Sequence, residues 1–297
     1  MITSRRGRWL TVVVLLMIGI VGSLWYFSRP SGKSANAAST RPVELNSENE
    51  PSIESLSMGE VLDLAIASRK NMAETLDDYQ ATFVKQEVDT NGVLGELSTV
   101  FMKVQTRLRG DREDAPLRVY MRFDSPESTK GREVIWGEDL YDGKMAVHEV
   151  GMLLGFKTLW LDPTGMIAMQ GQRYPISEVG IVKLTEKLIE RGEKDRDNPD
   201  ISVNIGPSPS TNSPSDRLIQ IRRAKPSGLE DDFSLAEITF DSERQLILSY
   251  RSFGWTNTEN EEPPLLESYT YENLKINVGL TDDDFDPKNP AYNYPAF

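Results

Sequence analysis

The longest apolar stretch of the chain, residues 10–27, contains no charged residue. As a helix it would cover about 27 Å at ~1.5 Å per residue, close to the ~30 Å hydrocarbon core of a membrane. Arg5, Arg6 and Arg8 stand directly before it, which favours an N-terminus in the cytoplasm and a body outside. The run ends in the bulky residues 24–27 rather than at a small-residue cleavage site. We therefore expect an uncleaved signal anchor, with a cleaved signal peptide as the alternative.

Helical periodicity appears twice in the rest of the chain. Apolar residues that recur at spacings of three and four predict one helix over residues 58–76 and another over 179–191. Ser57 and Glu60 fit the S-x-x-E capping box at the start of the first helix. Gly192 is a typical stop signal after the second.

Elsewhere apolar and polar residues alternate with a period of two, which is typical of half-buried strands. Asn91-Gly92 and Asp142-Gly143 are hairpin turn signals. The predicted strands cover residues 79–86, 97–108, 117–123, 133–136, 140–141, 145–150, 156–161, 217–223, 234–241, 246–253 and 266–276. No β-α-β alternation is present, which argues against a parallel sheet. The pattern predicts an α+β fold: a strongly curved antiparallel sheet, an incomplete β-barrel, with helices plugging its concave side and one N-terminal transmembrane helix.

The same patterns divide the chain into four parts. Residues 1–9 form a cytoplasmic stub, 10–27 the anchor, 28–55 a polar flexible linker and 56–297 the folded body. Within the body, residues 206–215 are rich in proline and serine and are interpreted as an exposed loop.

Composition and charge narrow the classes of function. Cysteine is absent, so the chain has no disulfide, no thiolate metal site and no lipidated cysteine. The net charge is −13, and since residues 1–33 carry five positive charges and no acid, the rest carries −18. Such a body repels nucleic acid, and we expect no nucleic-acid partner.

Signatures of catalysis and metal binding are few. No nucleophile elbow, Walker loop, dinucleotide fingerprint or H-E-x-x-H motif occurs. His148 is the only histidine, and it is read as a packed or surface residue on a strand rather than a catalytic base. The acidic run 281–286 offers oxygen ligands for Ca²⁺, but it is read as a helix start with Thr281 as N-cap, and the run 195–200 is weaker still. No catalytic residue, metal or cofactor is predicted.

The predicted strands are rich in aromatic and aliphatic residues, so a curved sheet would have an apolar inner face. If the helices do not cover that face fully, an apolar cavity remains for an acyl chain or another amphiphile. The alternative is an ordinary hydrophobic core. The residues we expect to line such a cavity are Phe101, Tyr120, Phe123, Trp136 and Tyr271.

Several segments of the body resemble an uncharacterised bacterial exported family, known as domain of unknown function 1571. The segments that carry the resemblance are residues 131–135, 142–145 with His148, 161–165, 173–176 with Gly180, Tyr79, 85–87, 269–271, 277–282 and 284–287. The likeness runs from about residue 75 to 290, and the loop 207–215 departs from it. The family is similar, more distantly, to the periplasmic lipoprotein carriers of LolA, LolB and RseB type.

The resemblance implies an incomplete antiparallel barrel plugged by helices, the fold in which the carriers hold acyl chains. It assigns no role to any residue. Together with the predicted anchor, it favours a non-catalytic, membrane-tethered binding protein in the periplasm, with a lipid, a lipoprotein or another amphiphile as partner. Two alternatives stay open: an envelope sensor or protein-interaction module that docks a partner along a sheet edge or loop, and a hydrolase that uses His148 or a carboxylate pair.

Overall fold

The structure is a computed structural model that describes residues 53–110, 112, 114–150, 157–211, 213–228, 232–256, 258 and 261–295. Among these residues, no helix is long and apolar enough to cross a membrane. The predicted anchor, residues 10–27, lies outside the described residues, as do the stub and most of the linker.

Two α-helices occur in the described part of the chain, α1 (Met58–Thr75) and α2 (Ile181–Glu193), both close to the predicted positions. The capping box at the start of α1 is confirmed: the Ser57 hydroxyl accepts from Glu60 N at 3.2 Å, and Ser57 N donates to the Glu60 carboxylate at 2.7 Å. The start of α2 has no side-chain cap; instead Ile181 N donates to the hydroxyl of Tyr79 on the sheet at 3.1 Å. The second helix is therefore fixed at its first residue by a tyrosine from the sheet.

The described residues form twelve strands in one sheet, and every pairing is antiparallel. The strands are β1 (Glu54–Leu56), β2 (Asp78–Glu87), β3 (Ser98–Gln105), β4 (Arg118–Ser125), β5 (Glu133–Gly137), β6 (Met145–His148), β7 (Leu159–Leu161), β8 (Ile201–Pro207), β9 (Asp216–Arg223), β10 (Leu235–Asp241), β11 (Leu246–Phe253) and β12 (Leu265–Ile276). Their order across the sheet is β1-β8-β9-β10-β11-β12-β2-β3-β4-β5-β6-β7. Since β1 and β7 are the outer strands, the sheet is open, which confirms an α+β fold and is consistent with a half-barrel.

Three local predictions need correction. Residues 140–141 were predicted as a strand, but Tyr141–Gly143 form a tight turn between β5 and β6. Tyr141 and Asp142 both take positive φ values there, and a strand does not allow these values. Strands β1 and β8 were not predicted at all. They pair with each other at one edge of the sheet, and β1 overlaps the end of the predicted linker. The three residues of β1 are too few to show a period, whereas the alternation of Ile201, Val203 and Ile205 along β8 was an available signal.

The two faces of the sheet are covered by different parts of the chain. On the face that carries α1 and α2, called here the helix face, one apolar cluster lies over β2–β6 and a second over β8–β11. Tyr269 on β12 and Leu184 on α2 pack against both clusters. The helices therefore form one layer that spans both halves of the sheet.

The opposite face, called here the outer face, is covered over β3–β6 by the C-terminal segment, residues 280–295. Phe285 and Tyr292 of this segment pack with Tyr120, whose ring stacks on that of Tyr292 with centroids 4.1 Å apart. Asn293 Nδ2 donates to the buried carboxylate of Glu133 at 2.7 Å. Residues 280–295 thus pack on the outer face of the sheet.

Candidate functional site

An apolar cleft lies between the two helices and strands β8–β11. We call it the helix–sheet cleft. Its walls come from the N-terminal half of α1, the C-terminal end of α2 and the inward-facing positions of the strands. The apolar residues of the wall are Met58, Val61, Leu62, Leu64, Ala65, Leu188, Ile201, Ile219, Ile221, Phe233, Ala236, Ile238, Phe240 and Ile247, with the ring of Tyr250.

The cleft is partly filled and open at its mouth. Its cavity volume is about 70 Å³, and the empty space is about 800 Å³ when the open mouth is included. At about 30 Å³ for each water in the liquid, a cavity of this size holds about two water-sized groups. The cleft therefore has room for the end of one acyl chain, with the rest of the chain in the open mouth.

The local sequence explains why a cleft forms at this place. Gly192 lies where α2 crosses α1: a Cβ there would stand 2.7 Å from Leu62 Cδ2 and 2.8 Å from Met58 Cε. The two helices are therefore close at this point. Small residues on both walls, Ala65 on α1 and Ala236 on β10, leave the space between helix and sheet unfilled.

Only three polar side chains of the described residues reach the wall, apart from the Tyr250 ring: Ser68, Arg191 and Asp195. The hydroxyl of Ser68 donates to Gln245 O at 2.7 Å. Arg191 and Asp195 lie at the C-terminal end of α2 and are partly exposed, so they stand at the mouth. The cleft is thus apolar inside and polar at one end, the pattern expected for an amphiphile.

Behind Arg191, a central ion cluster joins the helix layer to the sheet. It consists of Lys85, Glu87, Arg173, Arg191 and Glu267 with the phenols of Tyr174 and Tyr269. Glu87 and Glu267 are directly opposite each other on β2 and β12, and both are buried. Tyr269 Oη lies 2.6 Å from Glu87 Oε2 and 3.2 Å from Glu267 Oε2.

Cations compensate the two facing carboxylates. Lys85 Nζ lies 3.0 Å from Glu87 Oε1, and Arg173 N donates to the same oxygen at 3.0 Å. Burial acts to raise the pKa of Glu87, but Lys85 and these hydrogen bonds outweigh it and lower that pKa below its usual value. Burial, together with the negative charges of Glu267 and Glu87, raises the pKa of Tyr269 far above its usual value. Tyr269 therefore stays protonated and can donate to a carboxylate.

The structure separates the five residues predicted to line a cavity. Phe123, Trp136 and Tyr271 lie on the helix face in or against the cluster over β2–β6. Phe101 and Tyr120 lie on the outer face, under the C-terminal segment. Tyr120 and Phe123 are three positions apart on one strand, and an odd separation places side chains on opposite faces.

None of the five residues lines the helix–sheet cleft. The sequence-based prediction missed the cleft because it selected only aromatic residues of the strands, whereas the wall of the cleft is mostly aliphatic. Isoleucines at alternate positions of β9 and β10, at 219, 221 and 238, were the available signal. The role of the five residues in binding stays a prediction.

The residues that were weighed for catalysis or metal binding, and interpreted as structural, pack within the fold. His148 is buried on β6 opposite Glu133, with its Nδ1 without a hydrogen-bond partner and its ring near Tyr294. Thr281 caps a 3-10 helix, Asp282–Phe285, as predicted, and Asp284 pairs with Lys103 Nζ at 2.6 Å. Within the described residues, no group of three His, Cys, Asp or Glu side chains could hold a metal ion.

The fold and the cleft define the class of protein: an α+β domain built on one open antiparallel sheet, with two helices on one face and an apolar cleft beneath them. The chain belongs to the family described as Protein of unknown function (DUF1571), whose model matches residues 76–294. The resemblance noted in the sequence is thereby confirmed. No curated protein matches the chain.

Solved structures with similar chain traces include three from bacteria. A DUF1329 family protein from Desulfovibrio piger ATCC 29098 has 12% identity and a TM-score of 0.36, over 78% of this chain and 98% of that one. A putative outer membrane lipoprotein-sorting protein domain from Vibrio parahaemolyticus has 12% identity and a TM-score of 0.34, over 76% and 95%. The LolA superfamily protein NE2245 from Nitrosomonas europaea has 8% identity and a TM-score of 0.31, over 75% and 97%.

Proposed function

We propose that this protein is a non-catalytic binding protein that holds the acyl chain of a lipid, a lipoprotein or another amphiphile in the helix–sheet cleft. The observation that carries the proposal is the cleft itself, whose walls are aliphatic and whose mouth is open. Burial of each methylene contributes about 0.8 kcal/mol, so a chain end with about two buried methylenes gains about 1.6 kcal/mol, and contacts of the chain in the mouth add to it. This amount supports reversible binding and exchange.

We further propose that the body is tethered on the outer side of the cytoplasmic membrane. The apolar run 10–27 and the three arginines before it support this orientation. A tethered body with a cleft for one chain end would meet its ligand at the membrane that holds it. Because the tether keeps the body at this membrane, the protein would hold or present an amphiphile there rather than carry it across the periplasm.

The orientation is tested with a single introduced cysteine, since the natural chain has none. Ser210→Cys in the exposed proline-serine loop should react with a membrane-impermeant maleimide in cells whose outer membrane alone has been permeabilised. Ser4→Cys, before the apolar run, should react only after the cytoplasmic membrane is opened. The reverse pattern would place the body in the cytoplasm and end this part of the proposal.

Binding is tested by photolabelling of the full chain in phosphatidylcholine vesicles with a monoacylglycerol that carries a diazirine near the end of its chain. Labelled peptides should come from α1 and β8–β11. Ala65→Phe places a ring in the cleft and should reduce this labelling by about tenfold or more, since the loss of two methylenes of burial suffices for that factor.

Ala67→Phe is the matched control, because Ala67 is exposed on α1, two residues away, and does not line the cleft. It should label like the unchanged protein. Equal labelling of both variants, or labelled peptides only from the cluster over β2–β6, would contradict a binding site in this cleft.

An interaction module remains the second candidate, because apolar side chains are exposed near the β7 edge of the sheet. Trp160 on the outer strand β7 is partly exposed, and Met166 and Ile167 in the following loop are 89% and 71% exposed. A protein partner could pair with this edge and cover these side chains. The absence of acyl labelling in the cleft, with a reproducible photocrosslink from position 166 to one protein, would favour this function over the first.

A further inference from the structure

We propose that the helix–sheet cleft selects amphiphiles whose polar end carries no net charge, such as monoacylglycerols or zwitterionic lysophospholipids, over free fatty acids. This inference rests on the proposed function and concerns the head group at the same site. It follows from the two charged side chains of the wall, Arg191 and Asp195, which are the places where a charged head group would find a counter-ion.

Arg191 is fully engaged by the protein. Its Nη1 lies 3.2 Å from Glu267 Oε1, and its Nη2 donates to the hydroxyl of Tyr174 at 2.9 Å. Glu267 is only 3% exposed, so it cannot leave Arg191 without losing a partner inside the protein. Glu267 also lies 3.7 Å from Arg173 Nε, so this buried carboxylate holds two cations from within the fold.

Asp195 is engaged in the same way from the other wall. Its carboxylate forms an ion pair with the buried Arg223 and accepts from Asn198 Nδ2 at 2.8 Å. Arg223 Nε also lies 3.4 Å from Asp232. The negative charge at the mouth thus has a cation of its own, and that cation is shared with a second carboxylate.

Counted together, the charges behind the mouth balance, which leaves the mouth polar but without net charge. The four cations are Lys85, Arg173, Arg191 and Arg223, and the four carboxylates are Glu87, Glu267, Asp195 and Asp232. A fatty-acid carboxylate would have to compete with the buried Glu267 for Arg191, or lie beside Asp195 without a cation. Burial of an unpaired charge, or the removal of one partner from a buried pair, is strongly unfavourable. A head group that carries a hydroxyl, or whose own charges cancel, avoids both of these costs.

The test compares three photoreactive probes with the same acyl chain and diazirine position: a monoacylglycerol, a lysophosphatidylcholine and a free fatty acid. Each is offered to the full chain in phosphatidylcholine vesicles, and labelling of the cleft peptides is quantified. At about pH 7.5 we expect both probes without net charge to label at least about tenfold more than the fatty acid. At lower pH, labelling of the cleft peptides by the fatty acid should increase, because the protonated fatty acid carries no charge.

Glu267→Gln removes the charge that neutralises Arg191, so it should bring fatty-acid labelling close to that of the monoacylglycerol. Glu237→Gln is the matched control: Glu237 also faces an arginine, Arg251 at 3.7 Å, but on the outer face of the sheet. It should leave the ratio of the probes unchanged. Should Glu267→Gln not fold, Leu188→Lys adds an unpaired cation to the wall of the cleft and should raise fatty-acid labelling in the same way.

The outcomes separate this inference from the function on which it rests. Equal or stronger labelling by the fatty acid in the unchanged protein, at the same cleft peptides, would overturn head-group selection and leave acyl binding intact. Head-group selection would also be overturned if Glu267→Gln and Leu188→Lys both fold and neither changes the ratio of fatty-acid labelling to monoacylglycerol labelling. Failure of all three probes to label the cleft would end both proposals.

Discussion

Replacement of Phe285 by alanine is expected to lower the free energy of unfolding by about 3–5 kcal/mol. Phe285 is 1% exposed and packs on the outer face with Tyr120, Ile135 and Ala146. Removal of its ring leaves a cavity beneath the C-terminal segment. The hydrogen bond from the Tyr141 hydroxyl to Phe285 O, 3.0 Å long, should also weaken, because the ring no longer fixes the backbone at this position.

Chemical denaturation of the full chain, followed by tryptophan fluorescence, measures this effect because Trp136 is buried in the body. Val278→Ala is the control: Val278 lies just before the C-terminal segment, is 39% exposed, and should cost less than about 0.5 kcal/mol. A Phe285→Ala variant with an unchanged midpoint would show that the C-terminal segment does not contribute to the stability of the sheet.

The second large effect is expected at Glu87 in the central ion cluster. Glu87→Gln keeps the shape of the side chain but loses the charge that faces Lys85 and accepts from Arg173 N and Tyr269. Hydrogen bonds to a charged group contribute about 1.5–3 kcal/mol, and we expect a loss of that size in the free energy of unfolding at neutral pH.

The loss should depend on pH in one direction. The pKa of Glu87 in the folded protein lies below its ordinary value of 4.5, so the folded state favours the carboxylate. Its contribution to stability is complete above about pH 4.5 and disappears as the pH falls through the folded pKa. The unchanged protein and Glu87→Gln should therefore differ most at neutral pH and converge in acid.

Denaturation midpoints across about pH 3–7 measure this difference. Glu272→Gln on β12 is the control, because Glu272 is exposed, and it should follow the unchanged protein throughout. A constant difference between Glu87→Gln and the unchanged protein at every pH would mean that the carboxylate charge of Glu87 does not stabilise the fold.

Both effects concern contacts that the sequence pattern does not reveal. The capping box at Ser57 and the capped turn at Thr281 were predictable, because each depends on residues three positions apart. The pairing of Glu87 with Glu267 joins residues far apart in the chain, and no local periodicity points to it. The same holds for Phe285, whose neighbours on β4–β6 lie more than a hundred residues earlier.

The candidate site also has features that the sequence could predict and features that it could not. Alternation along a strand tells which residues share a face, so the separation of Tyr120 from Phe123 could have been predicted. The face of the sheet that retains an unfilled space could not be predicted from the sequence. That depends on how closely α1 and α2 approach at Gly192 and on how far the helices stand from the small side chains of the sheet.

From the sequence alone, the periods of two and of three to four residues determined that the body is α+β with an antiparallel sheet, and where most helices and strands lie. Family motifs spread over most of the body determined that it belongs to DUF1571. Only the tertiary structure decided the strand order, the edge pair β1–β8, the face that each aromatic residue occupies and the position of the cleft. The physical reason is that periodicity records which side of its own element a residue faces, whereas a cleft is the space left between elements that meet only on folding.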